Sequence, residues 1–291
     1  MDGRIGVFDS GFGGLTVLRS LLERLPHHDY LYLGDSARTP YGTRGFDVVH
    51  EFTREAVEAL FEAGCPLVVV ACNTASSRAL RTLQQKHLPR FRPDRRVLGV
   101  VRPSVEALAG LPPGALPGVT PPSHAEGLVA ILGTQGTIAS DSYRIELAHL
   151  APRLRLVQQA CPLWVPLVEA GETEGAGPEW FLHRYLDPLF APDVEHPSRI
   201  LLACTHYPVM AEGIRGIVPT GIDLLSQGPI VAERLEDWLV RHPEMDRRLS
   251  RGGSREFWTT DDAGRFSELG GRLLGRPFEA RKVHLAPWSP P

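Results

Sequence analysis

Leu67-Val68-Val69-Val70-Ala71-Cys72-Asn73-Thr74-Ala75-Ser76 is the stretch whose reading decides the fold. Five apolar residues in a row, three of them valine, fit a strand of a parallel sheet that is covered on both faces. Periodicity alone does not separate so short a run from buried helix, but its length and β-branched content favour strand. Asn73, Thr74 and Ser76 are helix N-cap types, and a helix-like pattern continues through Arg78, Ala79, Leu80 and Arg81. Cys72 is therefore expected at the carboxyl end of a strand, beside a helix N-terminus. That edge is where open α/β sheets bind ligands.

Farther along, Ile200-Leu201-Leu202-Ala203-Cys204-Thr205-His206-Tyr207-Pro208 has the same layout, an apolar strand followed by Ala-Cys and polar residues. The two cysteines lie 132 positions apart (204 − 72), so any meeting between them is made by the fold.

Working outward, residues 4–9 read as a strand that runs into a turn with glycines at 11, 13 and 14 and then a helix. This is neither G-x-G-x-x-G nor a Gly-Lys-Ser/Thr phosphate loop. The glycines there let backbone approach a small ligand. Asp9 at the strand tip faces that ligand or caps the helix. Tyr30–Gly34 is a second strand and ends in another carboxylate, Asp35, before a loop containing Thr39-Pro40-Tyr41-Gly42. Residues 47–63 carry apolar positions at helical spacing, and residues 95–101 form a fourth strand. Strands separated by helices indicate βαβ units and a parallel sheet.

The pattern restarts at residues 128–138, again strand, glycine-containing turn and helix, and continues with a strand at 154–160 and a helix around 179–190. Strand tip to cysteine spans 63 positions in the first half (72 − 9) and 71 in the second (204 − 133). The expected fold is α/β, with two pseudo-symmetric lobes, each an open, mainly parallel sheet flanked by helices. The site is expected in the cleft between them. Residues 1–98 with 208–291 form one lobe and 99–207 the other. On this reading a strand at 222–225, a helix at 229–241, a strand at 256–260 and a helix at 263–274 return to the first lobe. Residues 112–127 hold five prolines and three glycines, which predicts a mobile surface loop with little chemistry. The tail from Ala286 is expected to be disordered.

A formal charge of −3 leaves no electrostatic footprint for nucleic acid. No apolar run reaches the 18 residues a membrane span needs, and Met1-Asp2-Gly3-Arg4 opens without a signal-peptide pattern, so the expected location is cytoplasmic. The four cysteines, at 65, 72, 161 and 204, are too few for a disulfide framework and include no C-x-x-C pair. Cys65 and Cys161 read as small buried hydrophobes.

Two thiols at matched strand ends suit work on a substrate with two faces, and racemisation of an amino acid is such a problem. One base removes the α-proton and an acid returns a proton on the opposite side. The thiolate is the active base, so the site is expected to tune a thiol pKa that is ordinarily about 8.5, by a helix N-terminus and nearby charges. His206, two positions past Cys204, is placed to assist that thiol. Two other readings stay open: a binding protein that uses the cleft without catalysis, and a metal site made of Cys72, Cys204 and His206.

The stretches FDSGFGGLTVL, YLGDSARTPYG, VVVACNTAS, ILGTQGTI, ACPLWVPLVEAG and LLACTHYP resemble those of glutamate racemases, within the aspartate/glutamate racemase superfamily. They occur in that family's order and span residues 5–208. The departures are Arg102-Pro103 and the length of the 112–127 loop. The resemblance implies a two-base racemisation of glutamate for peptidoglycan synthesis, without cofactor or metal, by a cytoplasmic homodimer. It implies Cys72 and Cys204 as the acid/base thiols, assisted by Asp9, Asp35, Glu169 and His206. Asp9, Ser10, Tyr41, Gly42, Asn73, Thr74, Thr137, Thr205 and His206 would bind substrate. A relative acting on aspartate or another acid is the alternative within the superfamily. Outside the resemblance, Asp35 also fits a loop or cap, Tyr41 a packed turn, His206 a structural histidine and Glu169 an ordinary surface glutamate.

Overall fold

The computed structural model describes residues 3–115 and 125–288. Among these described residues, ten strands form two parallel sheets. The first has the order β10-β9-β2-β1-β3-β4, with β1 at Ile5–Asp9, β2 at Tyr30–Gly34, β3 at Leu67–Val70, β4 at Arg96–Gly99, β9 at Arg255–Thr259 and β10 at Ala280–Lys282. The second has the order β6-β5-β7-β8, with β5 at Gly127–Gly133, β6 at Leu154–Ala160, β7 at Arg199–Ala203 and β8 at Asp223–Ser226. Taking strands as they arise along the chain, both halves place the second, first, third and fourth side by side. The internal repeat is thus one of topology.

The apolar runs explain why these segments are central strands. Every residue of β1, β2 and β3 is buried. Odd and even positions of β3 feed different cores: Leu67 and Val69 pack with the helices Leu15–Arg24 and Gln227–Arg241, and Val68 and Val70 with the helix Phe46–Glu62. Each such side chain contributes roughly 1.5–3 kcal/mol on burial, and a polar residue at either parity meets a closed core.

Register then fixes the site. Ile5 pairs with Leu67 and Phe8 with Val70, while Asp9 pairs with Gly34. Asp9, Asp35 and Cys72 therefore emerge at the carboxyl edge of the first sheet. In the second sheet Gly133 pairs with Ala203, which puts Thr134 and Cys204 at the corresponding edge.

The sequence reading is corrected in three places. The strand expected at 222–225 does not return to the first lobe, because β8 pairs with β7 in the second sheet. The chain rejoins the first core with the helix Gln227–Arg241, whose Val231, Ala232, Leu235 and Leu239 pack with Leu15 and Leu18. The strand at 95–101 stops at Gly99, and a helix begins at Val101. In the tail, Trp288 sits edge-on to His87 and Phe91, at 4.8 and 4.9 Å between ring centres, under the Arg54 guanidinium. Within the expected 112–127 loop, residues 116–124 lie outside the described residues.

Candidate active site

One cavity takes its walls from both sheets' carboxyl edges, and Cys72 and Cys204 both line it. Its volume of about 80 Å³ is several times the ~10–15 Å³ that a single water needs. Of the expected residues, Ser10, Tyr41, Gly42, Asn73, Thr74, Thr205 and His206 also line it. Asp9, Asp35, Glu169 and Thr137 stand behind the wall, each in contact with a residue that lines the cavity.

Cys72 follows β3 and caps the short helix Asn73–Arg78, its sulfur accepting from the Ala75 amide at 3.5 Å. The thiol lies 3.5 Å from Ser10 Oγ. Asp9 is fully buried; it accepts from the Gly11 amide at 3.0 Å and from Thr205 Oγ1 at 3.4 Å, joining the first sheet's edge to the second's. Cys204 Sγ lies 3.9 Å from His206 Nδ1. On the far side of that ring, Glu169 Oε1 stands 3.3 Å from Nε2, an ion-pair contact without the geometry of a hydrogen bond.

Asp35 does not reach the cavity. It accepts from the Tyr41 hydroxyl, from Arg38 Nε at 2.7 Å and from Thr260 Oγ1 at 2.8 Å, so it orients Tyr41. Thr137 is buried beneath Thr134, with 3.1 Å between their hydroxyls, and Thr134 lies 2.9 Å from Thr74 Oγ1. Thr134 caps the helix Gln135–Ala139, accepting from the Thr137 amide.

The sequence reading missed Thr39, Pro40, Thr43, Thr134, Gln135, Pro162, Val165 and Pro166, all of which line the cavity. Thr134 was within reach, since a threonine just past a strand tip and three before Thr137 is an N-cap signature. The prolines and Val165 form an apolar wall that only the fold brings round.

Glycine is required where the lobes close. A Cβ on Gly13 would come within 2.5 Å of the His206 ring and of Thr205 Oγ1. A Cβ on Gly42 would come within 2.9 Å of Thr134 Cβ, where the Gly136 amide donates to Gly42 O at 2.8 Å.

The chain is 39% identical to the glutamate racemase of Caulobacter sp. (strain K31), covering 95% of this chain and 99% of that one. It is 39% identical to that of Paracoccus denitrificans, covering 94% and 97%.

The chain belongs to the glutamate racemase family.

No protein-family model matches the chain. Among solved structures, the glutamate racemase of Francisella tularensis in complex with D-glutamate superposes with a TM-score of 0.83 at 26% identity, covering 99% of each chain. The Thermus thermophilus glutamate racemase in complex with β-chloro-D-alanine superposes with a TM-score of 0.78 at 34% identity and 98% coverage of each chain. An aspartate racemase homologue of Pyrococcus horikoshii, at 14% identity and a TM-score of 0.51, shares the fold.

The shifted groups at the cavity include Cys72, Asp9 and His206. Burial, reinforced by the neighbouring Asp9, pushes the Cys72 thiol up to about 12, and Ser10 and the Ala75 amide oppose this without cancelling it. The expected lowering by a helix N-terminus is therefore outweighed by desolvation. Burial also raises Asp9, against the pull of His206 and the Gly11 and Gly14 amides. At His206 burial disfavours the charged ring, but Cys204 and Glu169 outweigh it and hold the imidazole at about 10. His206 is thus an imidazolium at neutral pH. Among the described residues no three His, Cys, Asp or Glu side chains are grouped so as to hold a metal ion, and no helix is long and apolar enough to cross a membrane.

Proposed function

We propose that this protein interconverts L- and D-glutamate by a two-thiol, cofactor-independent mechanism. The observation that carries the reading is that two cysteines, one from each sheet, line a single small cavity. Membership of the glutamate racemase family supports glutamate as the substrate.

The lining suits an acidic amino acid. The His206 imidazolium supplies positive charge, and Ser10, Asn73, Thr74, Thr134 and Thr205 supply hydroxyl and amide groups for carboxylate oxygens. Val165 and Pro166 supply an apolar wall. Burial favours the protonated form of Cys72, which serves as the acid. Cys204 acts as the base in thiolate form beside the His206 charge and removes the α-proton on its side, so its own charge is neutralised as negative charge develops at the α-carbon. Turnover leaves the proton on Cys204, and the return direction exchanges the roles. Asp9 acts through Thr205 and its neighbours, Glu169 through His206, and Asp35 through Tyr41.

On this reading the chain crosses to the second lobe after β4, which ends at Gly99, and returns to the first at Gln227 because β8 pairs in the second sheet. A homodimer in the cytoplasm, supplying D-glutamate for peptidoglycan, is part of the same proposal and rests on the family alone. Light scattering tests the dimer. The function itself is tested by circular dichroism of L-glutamate, D-glutamate and both aspartates with purified protein and no added cofactor. Loss of signal from both glutamates, and not from the aspartates, supports the proposal; unchanged glutamate signal overturns it.

A further inference from the structure

Behind the cavity wall, at the seam between the lobes, four polar side chains are buried together. Asn73, Tyr143, Ser104 and Gln227 are each 2% exposed or less. Their hydrogen bonds have one consistent direction, and a backbone carbonyl sets it. Ser104 Oγ donates its single proton to Val100 O at 2.7 Å, so toward its other neighbour it accepts. That neighbour is the Gln227 nitrogen, at 2.7 Å. The second N–H of Gln227 goes to the Tyr143 hydroxyl at 2.9 Å. The Tyr143 proton then goes to Asn73 Oδ1 at 2.6 Å, and Asn73 Nδ2 donates to Gln227 Oε1, closing a ring of three groups.

The ring leaves Asn73 with its carbonyl oxygen and one N–H committed behind the wall. One N–H remains, and Asn73 lines the cavity. We infer that Gln227 is a positioning residue: it fixes the Asn73 amide so that the cavity meets a donor and never an acceptor, which selects a carboxylate oxygen at that point. A flipped amide would turn an oxygen toward the substrate's anion and break two bonds of the ring. Gln227 is well placed for this because it is the first residue of the helix that carries the chain from β8 back to the first core. The ring therefore also registers the lobes against each other at the cavity floor.

This inference rests on the glutamate reading for the substrate but not for the geometry, and the test separates the two. Asn73 is the only asparagine in the sequence, so protein labelled with ¹⁵N-asparagine shows one side-chain amide pair by NMR. In the wild type, one of its two protons is expected to exchange slowly with solvent and the other quickly. Gln227→Leu makes both exchange quickly. Tyr143→Phe, which keeps Gln227 and removes a single hydroxyl, loosens the pair in the same way if the first variant fails to fold. Two fast protons in the wild type, or an unchanged pair in a folded variant, overturns the inference. With glutamate as substrate, each variant raises KM about tenfold or more, the loss expected for a hydrogen bond to a charged group, and changes kcat less than about twofold. A fall in kcat at unchanged KM contradicts positioning. If the wild type shows the split pair but leaves glutamate untouched, the substrate reading falls and the geometry stands.

Discussion

Glu169→Gln isolates the electrostatic support of the second thiol. The substitution keeps the shape of the side chain and removes a charge that stands 3.3 Å from His206 Nε2. Two unit charges at that distance in an effective dielectric of 20 attract by about 5 kcal/mol. The Glu169 side chain is 25% exposed, and the amide dipole replaces part of the lost charge, so the loss is smaller, ~1.5–4 kcal/mol, or ~1–3 pH units. His206, held at about 10 in the wild type, should then lose its proton correspondingly nearer neutrality. Because Cys204 is the larger of the two groups holding the ring charged, the variant should keep activity in its acid range. The assay is the pH profile of kcat/KM in both directions. The alkaline limb is expected to move down by that ~1–3 units, with the acid limb in place. An alkaline limb that stays fixed in a folded variant refutes the role given to Glu169.

The same pair predicts how stability depends on pH. His206 has a folded-state value above its ordinary 6.5. Its contribution is therefore fully present below about 6.5 and is lost as pH rises through about 10. Urea denaturation across that window should show wild-type stability declining, and Glu169→Gln should complete a smaller decline at lower pH.

Three further outcomes are expected. Cys72→Ser and Cys204→Ser should each reduce racemisation by at least ~10²–10⁴-fold in both directions, measured by circular dichroism; near-normal turnover in either excludes the two-base assignment. In heavy water, product glutamate should carry solvent deuterium at the α-carbon by mass spectrometry, and full retention of the original hydrogen points to a different reaction. Gly13→Ala should leave thermal unfolding within a few degrees while kcat/KM falls ~10-fold or more, because the new methyl meets His206 and Thr205 at 2.5 Å and relieving such overpacking costs ~1–3 kcal/mol. Unaltered kinetics would show that the turn yields freely.

Much of the fold was legible because its strands are extreme in composition. Leu67–Val70 and Ile200–Leu202 announce doubly covered strands, and the polar residues that follow mark their carboxyl edges. The placement of Cys72 and Cys204 at those edges follows from the same runs. The sheet to which Asp223–Ser226 belongs was not legible, since a four-residue edge strand reads alike in either lobe and only pairing with β7 decides. Nor were the partners of Asp35: from sequence it is an aid to the thiols or a loop or cap residue, and only the fold turns it toward Tyr41, Arg38 and Thr260. The thiol pKa was misjudged for a related reason. A helix N-terminus can be read from sequence, but the degree of burial that overrides it cannot.

The two halves repeat a strand order and deliver a sulfur to the same place, yet the neighbours they supply are unlike. Near Cys72 stand the buried Asp9 and the neutral Ser10; beside Cys204 stands an imidazolium backed by a carboxylate. A symmetric pair would gain nothing from its symmetry, because the proposed two-thiol mechanism needs one thiol with a proton and one without at the moment substrate arrives. On the proposed mechanism, backbone duplication places two groups about one carbon, and the side chains make their surroundings unequal. Gly13 is where these demands meet. It follows the Asp9 strand of the first half, and it must stay bare for the second half's His206 to come close.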